Sequence, residues 1–216
     1  MEWELLASLS DDDRRALLTA CRRQRFPRKG FVFHEGDPGD SLHLIASGSA
    51  AVRVTNPMGE VATLDVLGPG QSFGEQALVD PDARRSATVV ALEKLETLRL
   101  AGKDFEELCR RHPQAHRALT VLLEARLRAT SHALMDALYL SADKRVVRQL
   151  HRLAGIYGPG DEVVVPLTQD DLASMAGTTR QTVNKVLRAA EDAGLVVLTR
   201  GRITVTDAEG LARRAR

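Results

Sequence analysis

Apolar and polar positions change rhythm several times along this chain. From about residue 2 to 25 they read as short amphipathic helices, with Ser10 ahead of Asp11-Asp12-Asp13 making an acidic, N-cap-like start. From Phe31 to Leu100 the runs shorten to strand length: FVFHEGD, SLHLIASG, AAVRVTNPMGE, VATLDVLGPG, SATVVALE and LETLRL, each bounded by turn signals. Such close spacing predicts a small antiparallel barrel or sandwich. Helical spacing then returns. Residues 104–111 predict one short helix stopped by His112-Pro113, and residues 114–140 contain neither Gly nor Pro. A helix of that length approaches about 40 Å and needs a partner. Leu123, Leu127, Leu134 and Leu138 share one of its faces at coiled-coil-like spacing, and the adjacent hydroxyls of Thr130 and Ser131 interrupt that stripe.

After a hinge at residues 140–143, where Ser141 or Asp143 can cap, a helix over 143–157 is predicted to end at Gly158-Pro159-Gly160. Residues 161–167 read as a short strand or loop. Two capping signals follow in quick succession, Thr168-x-x-Asp171 and Thr178-x-x-Gln181, so two helices start about ten residues apart. Gly177 can take the turn between them, and Val183, Val186 and Leu187 anchor the second helix inward. The spacing fits a helix-turn-helix, and a generic pair of antiparallel helices would share it. The run LVVLTRGRITVTD reads as a two-stranded wing turning at Arg200-Gly201-Arg202.

The densest chemistry lies in SFGEQALVDPDARRSAT, residues 72–88. A glycine turn at Phe73-Gly74-Glu75 leads into a possible helical turn whose free N–H groups favour a phosphate. Arg85 can grip phosphate oxygens with two parallel bonds, and Ser86 stands next to it. Glu75 would repel a phosphate but suits a sugar hydroxyl beside one. Read alone, the loop proposes a ligand with a single phosphate and a ribose, or else an ordinary hairpin with a surface Arg and Glu. Phe73-Gly74-Glu75-Gln76-Ala77-Leu78 and Arg85-Ser86-Ala87-Thr88 together resemble the phosphate-binding cassette of cyclic-nucleotide-binding domains. Gln76 is the one departure, since that place is usually aliphatic. The resemblance implies a jelly-roll barrel in which Glu75 binds the ribose 2′-hydroxyl. It implies that Arg85 and Ser86, with the Gly74, Gln76 and Ala77 backbone, hold the cyclic phosphate, and that Val52, Leu64 and Asp65 line the site.

On the long helix the residues alone leave two readings. Thr130 and Ser131 either bond back to helix carbonyls and set register, or meet a bound group. RLRATSHALMDALYL resembles the dimer helix of the cyclic AMP receptor family, which implies that Thr130 contacts the adenine in its own subunit and Ser131 reaches it from the other. Further on, Thr179-Arg180-Gln181-Thr182-Val183 is similar to the Ser-Arg-Glu-Thr-Val of that family's winged helix-turn-helix. Arg180 can pair with guanine, Gln181 with adenine, and Lys185 with guanine or a phosphate. Thr168, Gln169, Thr179, Thr182, Arg200 and Arg202 complete the candidate DNA contacts. The Gln at 181 replaces a carboxylate that could accept from cytosine N4, which alters the expected half-site at one base. The closing LARRAR resembles actinobacterial members.

Bulk properties add exclusions. With 216 residues, of which 44% are hydrophobic and 27% charged, the chain has the make-up of an ordinary soluble protein of one or two domains. Net charge is +1, and residues 141–216 carry twelve basic against nine acidic residues, a weak lean toward DNA. Cys21 and Cys109 stand far apart, so no disulfide framework, zinc site or iron–sulfur site is indicated. The six histidines, His34, His43, His112, His116, His132 and His151, show no haem-ligand arrangement, and no catalytic constellation accompanies the barrel. The acidic start lacks a signal peptide's basic region, so a cytoplasmic location is expected.

The reading is therefore an α+β chain in three parts: a jelly-roll cyclic-nucleotide domain over 1–112, a dimerisation helix over 113–140, and a winged helix-turn-helix over 141–216. The family resemblance implies a homodimeric transcription regulator with cyclic AMP as allosteric ligand and no catalytic cofactor or metal. Its partners would be two-fold-related double-stranded DNA and RNA polymerase, with no membrane. The alternatives are a member that ignores cyclic AMP when binding DNA, or one that answers a cyclic dinucleotide, redox or gas signal.

Overall fold

The structure, a computed structural model, describes residues 3–7, 9–59, 61–80, 82–158, 162–199 and 201–215, with Glu4 described by its backbone alone. It falls into two compact units, Met1–Val54 with Leu67–Thr130, and Thr55–Val66 with Ser131–Arg216.

The first unit opens with a 3-10 turn at Glu4–Leu6 and then α1 (Asp11–Ala20), capped by Ser10, whose Oγ accepts from the Asp13 amide at 3.2 Å. The strands β1 (Arg22–Phe26), β2 (Phe31–Phe33), β3 (Ser41–Ser47) and β4 (Ala50–Thr55) follow. Next in the chain comes β5 (Val61–Leu67), most of which groups with the second unit. The series continues with β6 (Ser72–Phe73), β7 (Thr88–Ala91), β8 (Leu95–Ala101), α2 (Gly102–Arg111) and α3 (Gln114–Tyr139). One antiparallel sheet runs β1-β8-β3-β6, and β2, β7 and β4 lie side by side in another.

Strand β3 explains the layering. Its first five residues are all buried, because alternate side chains enter different cores. Leu42 and Leu44 join Leu17, Leu100, Phe105 and Leu122 under the helices. His43 and Ile45 face the other way, toward Phe73, Phe33, Val89 and Leu95 between the sheets. The Trp3 indole N–H donates to the Ile45 carbonyl of the same strand at 2.9 Å.

Strand β1 corrects the sequence reading, which placed residues 22–25 in helix. Backbone at Cys21 turns extended, and Arg22 to Phe26 pair antiparallel with β8, Arg22 opposite Arg99 and Phe26 opposite Leu95. Arg23 and Arg25 bond Glu96 across the ladder at 2.6 and 2.8 Å. The strand is made by a distant partner, and no local period announces it.

In the second unit, α4 (Ala142–Tyr157) is capped by Ser141. β9 (Val163–Val165), α5 (Gln169–Ala176), α6 (Arg180–Asp192), β10 (Val196–Thr199), β11 (Arg202–Val205) and α7 (Ala208–Ala215) follow. The small sheet runs β10-β11-β9, so the wing expected from the sequence gains a third strand, and α7 packs on α4. Arg145 ties three turns together by donating to the carbonyls of Leu140, Ala176 and Gly177 at 2.8, 2.8 and 3.0 Å. The β5 segment docks in the same unit, where Asp65 pairs with Arg152 at 2.6 Å and the Thr63 amide donates to Ser174 Oγ at 2.7 Å.

The expected α+β plan is borne out: a barrel of antiparallel sheets, a 26-residue helix, and a helix-turn-helix with its wing. Among the described residues no helix is long and apolar enough to cross a membrane.

Candidate functional site

Strand β6 delivers the cassette into a cleft. Gly74 adopts φ +83°, and a Cβ there would lie 2.6 Å from Arg85 Nη1 and 2.7 Å from the Ser41 carbonyl, so no other residue fits. Beyond it, Glu75–Leu78 form a 3-10 turn. Arg85 is fixed at its backbone, accepting from the Gly36 amide and donating to the Asp37 carbonyl, both at 2.8 Å. Its side chain enters the barrel and is only 7% exposed.

Every part of that guanidinium but one is occupied. Nη1 donates to the Ser41 carbonyl at 2.7 Å, Nη2 donates to Ser41 Oγ at 3.0 Å and lies 3.3 Å from Asp40 Oδ1, and the Phe33 ring lies 4.1 Å beneath. Nε is buried without a partner among the described residues, as is Ser72 Oγ. A buried charged donor left open costs free energy unless an acceptor comes to it. Arg99 holds the other Asp40 oxygen at 2.6 Å. Burial pushes the Asp40 carboxyl upward, but the Ser41 hydrogen bond and the charges of Arg99 and Arg85 outweigh it, leaving its pKa lowered. Burial also lowers the Arg85 pKa, with Asp40 opposing, yet a guanidinium keeps its charge. The neighbouring His43 stacks on Phe73 at 5.1 Å and meets Thr97 Oγ1 at 3.1 Å. Burial first, then Arg85 and Arg99, push its pKa down to about 3, so it sits neutral in the barrel.

The cleft brings together Val52, Gly74, Glu75, Gln76, Arg85 and Ser86 from the expected set. Its cavity volume is about 90 Å³, smaller than the range of about 300–1,000 Å³ typical of small-molecule sites. Ala77 is not on its wall: it is buried, and its amide donates to the Gly74 carbonyl at 3.2 Å. Leu64 and Asp65 lie on the β5 segment that groups with the second unit, where Leu64 is exposed and the Asp65 carboxylate is held by Arg152.

Arg126 on α3 lines the cleft and donates to the Ser72 carbonyl, a wall residue that the sequence reading did not pick out. Its signal was position: it lies one helical turn before Thr130. Thr130 Oγ1 donates back to the Arg126 carbonyl at 3.0 Å, and Thr130 and Ser131 both lie on an exposed stretch of α3. Leu127, Leu134 and Leu138 are also exposed there, at 69%, 59% and 65%.

The helix-turn-helix is set by its caps. Thr168 and Asp171 form a full capping box on α5. For α6 the cap is Thr179, which accepts from the Thr182 amide at 3.2 Å, and not Thr178. Gly177, at φ +57°, ends α5, and the Thr178 amide closes back on the Ala173 carbonyl, so Thr178 belongs to the turn. Thr179, Arg180, Gln181 and Lys185 are exposed, and Thr182 is half-buried. A groove between α6 and the wing gathers Thr168, Gln169, Arg180 and Arg202, and adds Asp170, Asn184 and Arg188. Gln181 and Lys185 lie outside it on the face of α6. Arg200 lies outside the described residues.

Comparisons with known proteins follow the same division. The chain matches the family described as cyclic nucleotide-binding domain over residues 23–112 and the Crp-like helix-turn-helix domain over residues 144–214. It is 34% identical over 204 residues to the cyclic AMP receptor protein of Thermus thermophilus, covering 94% of this chain and 93% of that one. It is 34% identical over 198 residues to the CRP-like cAMP-activated global transcriptional regulator of Mycobacterium tuberculosis, covering 88% and 87%. Among solved structures, the Thermus thermophilus catabolite activator protein matches with a TM-score of 0.57 at 34% identity, over 98% of both chains. FixK2 of Bradyrhizobium japonicum matches at 0.81 but 15% identity, over 91% of this chain and 98% of that one, a likeness of fold.

Proposed function

This chain belongs to the family of transcription regulators that join a cyclic nucleotide-binding domain to a Crp-like helix-turn-helix domain, and from that membership we propose that cyclic AMP is its effector and that it acts on DNA as a homodimer. The observation that carries the effector reading is the open Nε of a buried, otherwise saturated Arg85, which lines the same cleft as Glu75. A cyclic phosphate supplies the missing acceptor, with Ser86 beside it, while Glu75 accepts from the ribose 2′-hydroxyl. Arg126 is placed to close the same wall.

Thr130 gives its proton to a helix carbonyl, so its oxygen keeps lone pairs that can accept from an adenine amino group. The partner subunit's Ser131 would complete that contact. The exposed leucine stripe supports pairing along α3, and a base held at that seam couples nucleotide to dimer geometry. A coupling of about 1–3 kcal/mol suffices to shift such an equilibrium. With the dimer set, two α6 helices present Arg180, Gln181 and Lys185 to half-sites about one turn apart.

In this reading the protein is a regulator and not an enzyme, works in the cytoplasm and meets RNA polymerase at its sites; relatives named as cAMP-activated global transcriptional regulators are the support. Calorimetry on the full-length protein tests the effector. Cyclic AMP should bind the unaltered protein and not Arg85→Ala. Equal binding by both would sink the assignment, and heat from a cyclic dinucleotide alone would replace the effector.

A further inference from the structure

The first turn of α5 sends two side chains across to the recognition helix. Asp170 Oδ2 lies 3.3 Å from Arg180 Nη1, and Asn184 Nδ2 donates to Gln169 Oε1 at 3.2 Å. Both pairs border the groove where Arg188 and Arg202 add positive charge. A carboxylate is out of place on a surface that meets a polyanion, since each phosphate contact gains from a cation and loses from an anion. Its worth to the fold is small as well. Both partners are about two-thirds exposed, and an exposed pair contributes little stability. Helix capping does not require it either, because Asp171 already fills the capping box of α5.

What Asp170 does touch is a side chain with many rotamers and a planar fork. Arg carries five N–H donors, so one directed at Asp170 leaves the remainder of the fork for a base edge, with the orientation already chosen. Guanine is read by two parallel bonds to O6 and N7, a contact that tolerates little tilt. We infer that Asp170 is a positioning residue for DNA readout: it presets the Arg180 fork toward guanine, sharpening sequence discrimination at the expense of overall affinity. The inference rests on the reading of α6 as the DNA-reading helix.

The test uses the full-length protein with its effector and a panel of duplexes at fixed salt. The informative base pair is the one whose guanine preference disappears in Arg180→Ala. Asp170→Ala should bind random duplex several-fold more tightly, yet lose about tenfold in discrimination at that base pair alone. Asp170→Asn, which keeps the shape without the charge, should behave alike, and Asp170→Glu should restore most of the preference. In an Arg180→Ala background, Asp170→Ala should change discrimination no further. Unchanged discrimination in Asp170→Ala overturns the inference and leaves DNA reading by α6 intact. A parallel loss on every duplex with a lowered Tm also overturns it, since that is the mark of a structural acid. An unaltered protein that binds all duplexes alike removes the premise as well.

Discussion

Two arginines, one in each unit, are set in opposite surroundings. Arg85 is 7% exposed, bound at both terminal nitrogens and stacked on Phe33. The Arg180 side chain is 68% exposed and touches one carboxylate at 3.3 Å. The buried guanidinium has been stripped of water and fixed during folding, so a small ligand need supply only the last acceptor. The exposed one keeps its water and much of its freedom until a duplex arrives. A compact effector with few contacts is best met by a rigid, pre-formed donor. A long polyanion with many contacts can order its own ligands and gains discrimination from a light restraint.

The comparison can be broken at its buried end first. Arg85→Lys keeps the charge and loses the fork, and it should lower cyclic AMP affinity by about 3 kcal/mol, on the order of 100-fold, in a calorimetric titration. An affinity within about twofold of the unaltered protein would mean that charge alone holds the phosphate, and that the buried geometry is incidental. At the exposed end, Arg180→Ala should lose about 2 kcal/mol of preference at one base pair in a binding-site selection. Its unfolding free energy should stay within about 0.5 kcal/mol, as for other surface changes. A large fall in stability there would erase the contrast.

The smallest effect concerns His43, which shares the buried network. Its folded pKa of about 3 lies below the ordinary unfolded value of about 6.5. Between those values the unfolded chain binds the extra proton, so stability is complete above about pH 6.5 and drains away as the pH falls toward 3. The slope is at most about 1.4 kcal/mol per pH unit. Urea unfolding at pH 7, 6 and 5 should reveal it in the unaltered protein and a flatter line in His43→Phe. Parallel lines would show that the ring is not held neutral.

Legibility in the sequence followed the distance over which each feature is built. The cassette was readable because Gly74, Glu75, Arg85 and Ser86 lie within one short stretch, and the structure brings them to one wall. The helix-turn-helix was readable to within one residue at Thr178 and Thr179, since caps are local. Strand β1 was not, because RRQRF becomes a strand through distant partners, Glu96 among them. Arg126 was hidden in a helix whose leucines drew the eye to another face. Leu64 and Asp65 rest on the resemblance alone. Asp40 was not legible for the same reason as β1: its importance comes from Arg85 in the loop ahead of β7 and Arg99 within β8, both distant in the chain.

The indole of Trp3 is the only one in the chain, and it is tied to the carbonyl of Ile45, on the strand that pairs directly with the cassette's own. The molecule thus carries a built-in optical probe located in its effector-binding half. A shift in its emission on adding a nucleotide would report events in the barrel without a label.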